Sequence, residues 1–116
     1  MLKKNISDRA VEFILTRRIE ELKNLTVEKI AQRIGVNRFY LSLSFLIGRK
    51  ISLPNFILRE KMHEAFFILE KDQRIPLDEL SRKLGFMRFE DFNMEFEKYF
   101  AISPGRFRDI RSGISC

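Results

Sequence analysis

The side chains able to do chemistry in this chain are cations rather than nucleophiles. Of 116 residues, 22 are lysine or arginine and 16 are aspartate or glutamate, giving a net charge of +6. The excess is local: residues 1–52 hold eleven cations against five acids, whereas residues 53–116 hold eleven of each. Such a distribution favours a polyanionic partner met chiefly by the first half. Little else suggests a reaction. His63 is the only histidine, adjoined by Glu64 but with no partner histidine or cysteine at helical spacing, and the only cysteine is the last residue, Cys116. Nucleophile-elbow, phosphate-loop and paired-carboxylate spacings are missing as well. The residues therefore predict no enzyme, no metal, no cofactor, no disulfide framework and no small-molecule site within this chain. No apolar stretch is long enough for a signal peptide or membrane span, so the expected location is the cytoplasm and no membrane partner is expected.

The elements that would position these cations come as a repeat. Residues 25–36 read LTVEKIAQRIGV and residues 75–86 read IPLDELSRKLGF. Val27/Leu77, Ile30/Leu80, Ile34/Leu84, Gly35/Gly85 and Val36/Phe86 match at an offset of fifty, and with one extra residue Leu41 pairs with Phe92 and Phe45 with Phe96. A short amphipathic helix, a glycine turn and a second amphipathic helix describe a helix-turn-helix, here present twice.

Around this repeat the apolar spacing predicts further helices. Val11, Ile14, Leu15, Ile19 and Leu22 recur at helical intervals and predict one first helix starting near Ser7. Thr26 is the expected N-cap of the second helix and Asn37 of the third, which runs to about Ile47 with Leu41 and Phe45 inward. Ser52 and Pro54 start a long helix over 53–70, and Ser103 with Pro104 starts a short last one. No segment alternates as a strand would. The expectation is an all-α fold of seven helices: an N-terminal helix-turn-helix lobe (1–52), a linker helix (53–70) and a C-terminal lobe (71–116).

This order resembles the DNA-binding domain of the AraC/XylS family of bacterial transcription regulators, over roughly residues 8–108. The C-terminal residues carry most of the resemblance: Gly85-Phe86, Phe92, Phe96, Phe100, Ser103-Pro104 and Phe107-Arg108. In the first copy Ile30-Ala31, Gly35, Tyr40-Leu41-Ser42 and Phe45 match, and Arg59, Lys61 and Met62 are similar to the basic pattern of the family's linker helix. The resemblance implies that the third helix of each motif enters the major groove of double-stranded DNA, with the linker helix setting the separation of the two readers.

The base-facing positions it implies are Arg38, Phe39, Ser42 and Leu43 in the first motif, with Arg38 also near phosphate, and Phe89, Glu90, Asn93 and Met94 in the second. Leu43 offers no bidentate contact to guanine, and Phe39 or Leu43 suits a thymine methyl instead. Residues 87–98 hold Glu90, Asp91, Glu95 and Glu97 against Arg88 and Lys98, a charge that opposes approach to phosphate. The N-terminal motif is therefore expected to dominate. Phosphate contacts are expected from Arg49, Lys50, Arg59, Lys61, Arg88, Arg106 and Arg108. If the chain is the whole protein, control would come from abundance or from a partner such as RNA polymerase or another regulator. An alternative reading keeps the scaffold as a protein-interaction module that docks through Phe39, Leu43, Leu46 and Ile47.

Overall fold

The computed structural model describes residues 5–111; Cys116, noted above, lies outside them. These residues form α1 (Ile6–Leu15), α2 (Ile19–Leu22), α3 (Val27–Ile34), α4 (Arg38–Arg49), α5 (Leu53–Lys71), α6 (Leu77–Lys83), α7 (Phe89–Phe100) and α8 (Pro104–Arg111). Among the described residues the fold is all-helical, with eight helices rather than the seven expected. The additional one arises because the first predicted helix breaks at residues 16–18. There the Thr16 hydroxyl and Arg17 Nε both donate to the Phe13 carbonyl, at 2.9 and 3.2 Å, and Arg18 turns to an extended conformation (φ −81°, ψ 165°). Side chains that occupy the carbonyls of a last turn compete with continued helix. Leu15, expected inward, is consequently 60% exposed, while Leu22 on α2 is buried.

The chain divides into two compact units, one ending at Glu60 and one beginning at Lys61. In the first, α1 packs on α3 and α4, and Ala10, Ile14, Leu22, Ile30, Ala31, Leu41, Phe45, Leu53, Phe56 and Ile57 make the core. Phe45 meets Phe56 edge-on, their ring centres 5.3 Å apart. In the second unit the buried residues include Met62, Ala65 and Leu69 of α5, Leu80 and Leu84, Phe92 and Phe96 of α7, and Phe107 of α8. Phe96 sits among Phe92, Phe100 and Phe107 with ring centres 5.9, 4.7 and 6.1 Å away. Helix α8 is held to its own unit by Arg108 Nη1, which donates to the Ile75 carbonyl at 2.9 Å, and by Gln73 Nε2, which donates to the Arg111 carbonyl at 2.9 Å. Helix α5 thus supplies Leu53, Phe56 and Ile57 to one core and Met62, Ala65 and Leu69 to the other.

The repeat reappears as geometry. Gly35 and Gly85 both take the left-handed conformation, with φ of 76° and 92°. After each, the next amide reaches back over the helix end: Val36 donates to the Ala31 carbonyl at 3.0 Å and Phe86 to the Ser81 carbonyl at 3.1 Å. This is the Schellman closure, which needs a positive φ and hence glycine. The helix starts follow the expected caps. Thr26 Oγ1 accepts from the Lys29 amide at 3.2 Å, Ser52 Oγ from Asn55 at 3.3 Å and Ser103 Oγ from Arg106 at 3.2 Å. Helices α4 and α7 also end alike, each on a non-glycine residue in the left-handed region, Lys50 (φ 62°) and Ala101 (φ 60°).

Candidate nucleic-acid interface

Helix α4 begins firmly and turns a broad face outward. The Phe39 and Tyr40 amides donate to Asn37 Oδ1 at 2.8 and 3.2 Å, satisfying two of the amides that a helix start leaves open. Leu41 and Phe45, four residues apart, are fully buried and fix the helix on the core. Opposite them lie Phe39 (69% exposed), Tyr40, Leu43 (57%), Leu46 and Ile47. Ser42 is half-buried at the border of this face. Arg38 lies 3.7 Å from Glu28 and stacks its guanidinium 4.8 Å from the Phe39 ring centre, which steadies that ring. At the other end Arg49 pairs with Asp8, and Lys50 closes the helix as an exposed cation.

Helix α7 presents a different surface. Arg88 precedes it without a side-chain cap, and Phe89 leans edge-on against Phe92 at 6.2 Å, leaving it only partly exposed. Glu90 is exposed and lies 3.8 Å from Arg88, so the cation at this helix start is already paired. Asn93 is half-buried and Met94 is 60% exposed. Glu90, Asp91 and Glu97 are exposed along this helix against a single exposed Lys98.

The remaining predicted phosphate contacts differ in how available they are. Arg106 is exposed on α8. Arg108 is half-buried and committed to the Ile75 carbonyl. Arg59 is half-buried with its guanidinium 4.9 Å from the Phe56 ring centre, and its Nε is buried with no hydrogen-bond partner among the described residues. Lys61 is also half-buried, and desolvation lowers its ammonium pKa from the ordinary lysine value. Arg38, Lys50 and Arg106 are thus better presented than Arg59, Lys61 or Arg108.

Two further outward residues adjoin the predicted contacts. Tyr40 is exposed on α4 beside Phe39, and Met87, in the turn before α7, is 98% exposed. The signal for Tyr40 was its place one residue before buried Leu41; nothing in the sequence singled out Met87. Among the described residues, no three His, Cys, Asp or Glu side chains gather as metal ligands, and no single helix is long and apolar enough to cross a membrane.

Comparison with known proteins places this geometry. No family model matches the chain. The chain is 31% identical over 85 residues to the Msm operon regulatory protein of Streptococcus mutans, a match covering 73% of the chain and 30% of that protein. It is 29% identical over 84 residues to the multiple antibiotic resistance protein MarA of Escherichia coli, covering 72% of the chain and 65% of that protein. The chain therefore spans less than two thirds of either relative. Among solved structures, an AraC-type regulator from Chromobacterium violaceum superposes with a TM-score of 0.80 at 20% identity, covering 95% of each chain. The DNA-binding domain of AdpA, solved in complex with a target DNA, gives 0.76 at 19% identity, covering 90% of this chain and 94% of that one. In its fold, its paired Schellman turns and its sequence, the chain is similar to the AraC/XylS type of double helix-turn-helix DNA-binding domain.

Proposed function

We propose that this chain is a sequence-specific, double-stranded DNA-binding transcription regulator that reads the major groove mainly through its N-terminal motif. The observation that carries the reading is α4 itself: a rigidly capped helix whose outward face is open and whose ends hold Arg38 and Lys50. Helix α7 is the lesser reader, because its exposed Glu90, Asp91 and Glu97 repel phosphates. Exposed Arg106, and Arg88 on release from its exposed pair with Glu90, add phosphate contacts on that side, and α5 is the covalent connector. The relatives named as regulators and the DNA complex of AdpA support this assignment. The work is binding and not catalysis. RNA polymerase or another regulator is the protein partner, and the cytoplasm is where the chain meets its DNA.

One observation favours a second reading. Phe39, Tyr40, Leu43, Leu46 and Ile47 expose enough apolar surface on a single helix to dock a protein. Replacing Leu43 by Arg separates the two. In the groove, Leu43→Arg adds a cation able to pair with guanine, so duplex affinity in an equilibrium binding assay rises by about fivefold or more on a guanine-bearing site. Unchanged DNA affinity together with loss of a protein complex would favour the docking module.

A further inference from the structure

We infer that the N-terminal reader selects its site by thymine methyl groups, with Phe39 and Leu43 as the determining side chains. The inference rests on the reading of α4 as a major-groove helix and goes on to name what it reads. Major-groove base edges offer hydrogen-bond donors, acceptors and one apolar group, the thymine C5-methyl. On the first two turns of α4 the outward side chains are Phe39, Tyr40 and Leu43; Ser42 is half-buried at the edge. Phe39 and Leu43 have no hydrogen-bonding atoms, so the methyl is the base-edge group that rewards them, while every donor and acceptor facing them would lose its water without replacement.

Charge decides between a duplex and an apolar protein groove as the occupant. The apolar ridge is bracketed by Arg38 at the start of α4 and Lys50 at its end. Twelve residues of rise place these cations roughly 18 Å apart along the helix, so each end of a groove-bound α4 carries a cation whose long side chain can reach the flanking phosphates. An apolar groove would offer neither cation a counter-charge, whereas phosphate offers one to both. Stacking of Arg38 on the Phe39 ring also holds that ring on the outward side. Phe39 and Leu43 are one turn apart, a rise of roughly 6 Å. For a helix lying along the groove, that corresponds to thymine methyls about two base pairs apart.

The test begins with duplexes selected by the intact chain from a random pool at stated salt. Each thymine of the selected duplex is then replaced by deoxyuridine, which removes the methyl and nothing else. Two deoxyuridines, about two base pairs apart, should each weaken binding by about fourfold, the effect of one buried methyl-sized group. In the exposed-site variant F39A/L43A the thymine and deoxyuridine duplexes should bind equally. If the selected duplex binds tightly but every deoxyuridine is silent, methyl reading is overturned while duplex recognition stands. If F39A/L43A keeps the full thymine preference, these two residues are not its source and the inference fails. No duplex affinity even in dilute buffer would overturn the underlying assignment as well.

Discussion

Replacing Phe96 by Ala lowers the stability of the C-terminal unit by about 3–5 kcal/mol, the usual range for deleting a buried aromatic ring. Phe96 is fully buried and touches three other rings, Phe92, Phe100 and Phe107, contributed by α7 and α8. A small helical unit does not readily refill that volume, because the rings around Phe96 are rigid. With total stabilities of roughly 5–15 kcal/mol for a domain, the loss is a large share. Urea unfolding followed by circular dichroism measures it. The control is Met94→Ala on the same helix, whose side chain is largely exposed and whose loss should stay within about 0.5 kcal/mol. Equal effects of the two changes would mean that the phenylalanine cluster does not hold this unit together.

The second large effect concerns salt. Arg38→Ala together with Lys50→Ala should remove two phosphate contacts and lower the slope of log affinity against log salt by roughly 2. Between 50 and 200 mM salt, the unmodified chain should then lose about tenfold more affinity than the double variant. Arg38 must give up Glu28 to bind phosphate, but that pair is exposed at both ends and 3.7 Å long, so little opposes the exchange. Changing Arg88 and Arg106 to Ala should flatten the slope less, because Arg88 already faces Glu90 and the surrounding helix carries exposed acids. Fluorescence anisotropy across a salt series reports all of these slopes. Equal flattening by the two pairs would count against the dominance of the N-terminal motif.

What could be read in advance was what local chemistry dictates. The glycine turns, the Thr26, Asn37, Ser52 and Ser103 caps and the inward pairs Leu41/Phe45 and Phe92/Phe96 each depend on residues within one or two turns. The break after Leu15 was hidden because the apolar intervals continue through it to Leu22; what ends α1 is the competition of Thr16 and Arg17 for the Phe13 carbonyl. Cations were the least legible class. Lys50 and Arg106 are exposed, whereas Arg59 lies along a phenylalanine ring, Lys61 is half-buried and Arg108 ties down α8. Composition alone does not distinguish these fates, since the long stems of lysine and arginine pack as readily as they extend. The apolar face of α4 was legible, because Leu41 and Phe45 at four-residue spacing mark the inward side and leave Phe39, Leu43, Leu46 and Ile47 outward.

The shared endings of α4 and α7 have an evolutionary and an engineering consequence. A side chain at positive φ costs roughly 1 kcal/mol that glycine avoids, and the chain bears this at both Lys50 and Ala101. At Ala101 nothing but a methyl group is retained, so mutation to glycine is an open route to a sturdier protein. Lys50 is a different case, for there the strained backbone keeps a positive charge at the edge of the helix proposed to read DNA. Drift toward glycine would be tolerated by folding at either position, and selection for recognition would resist it at one.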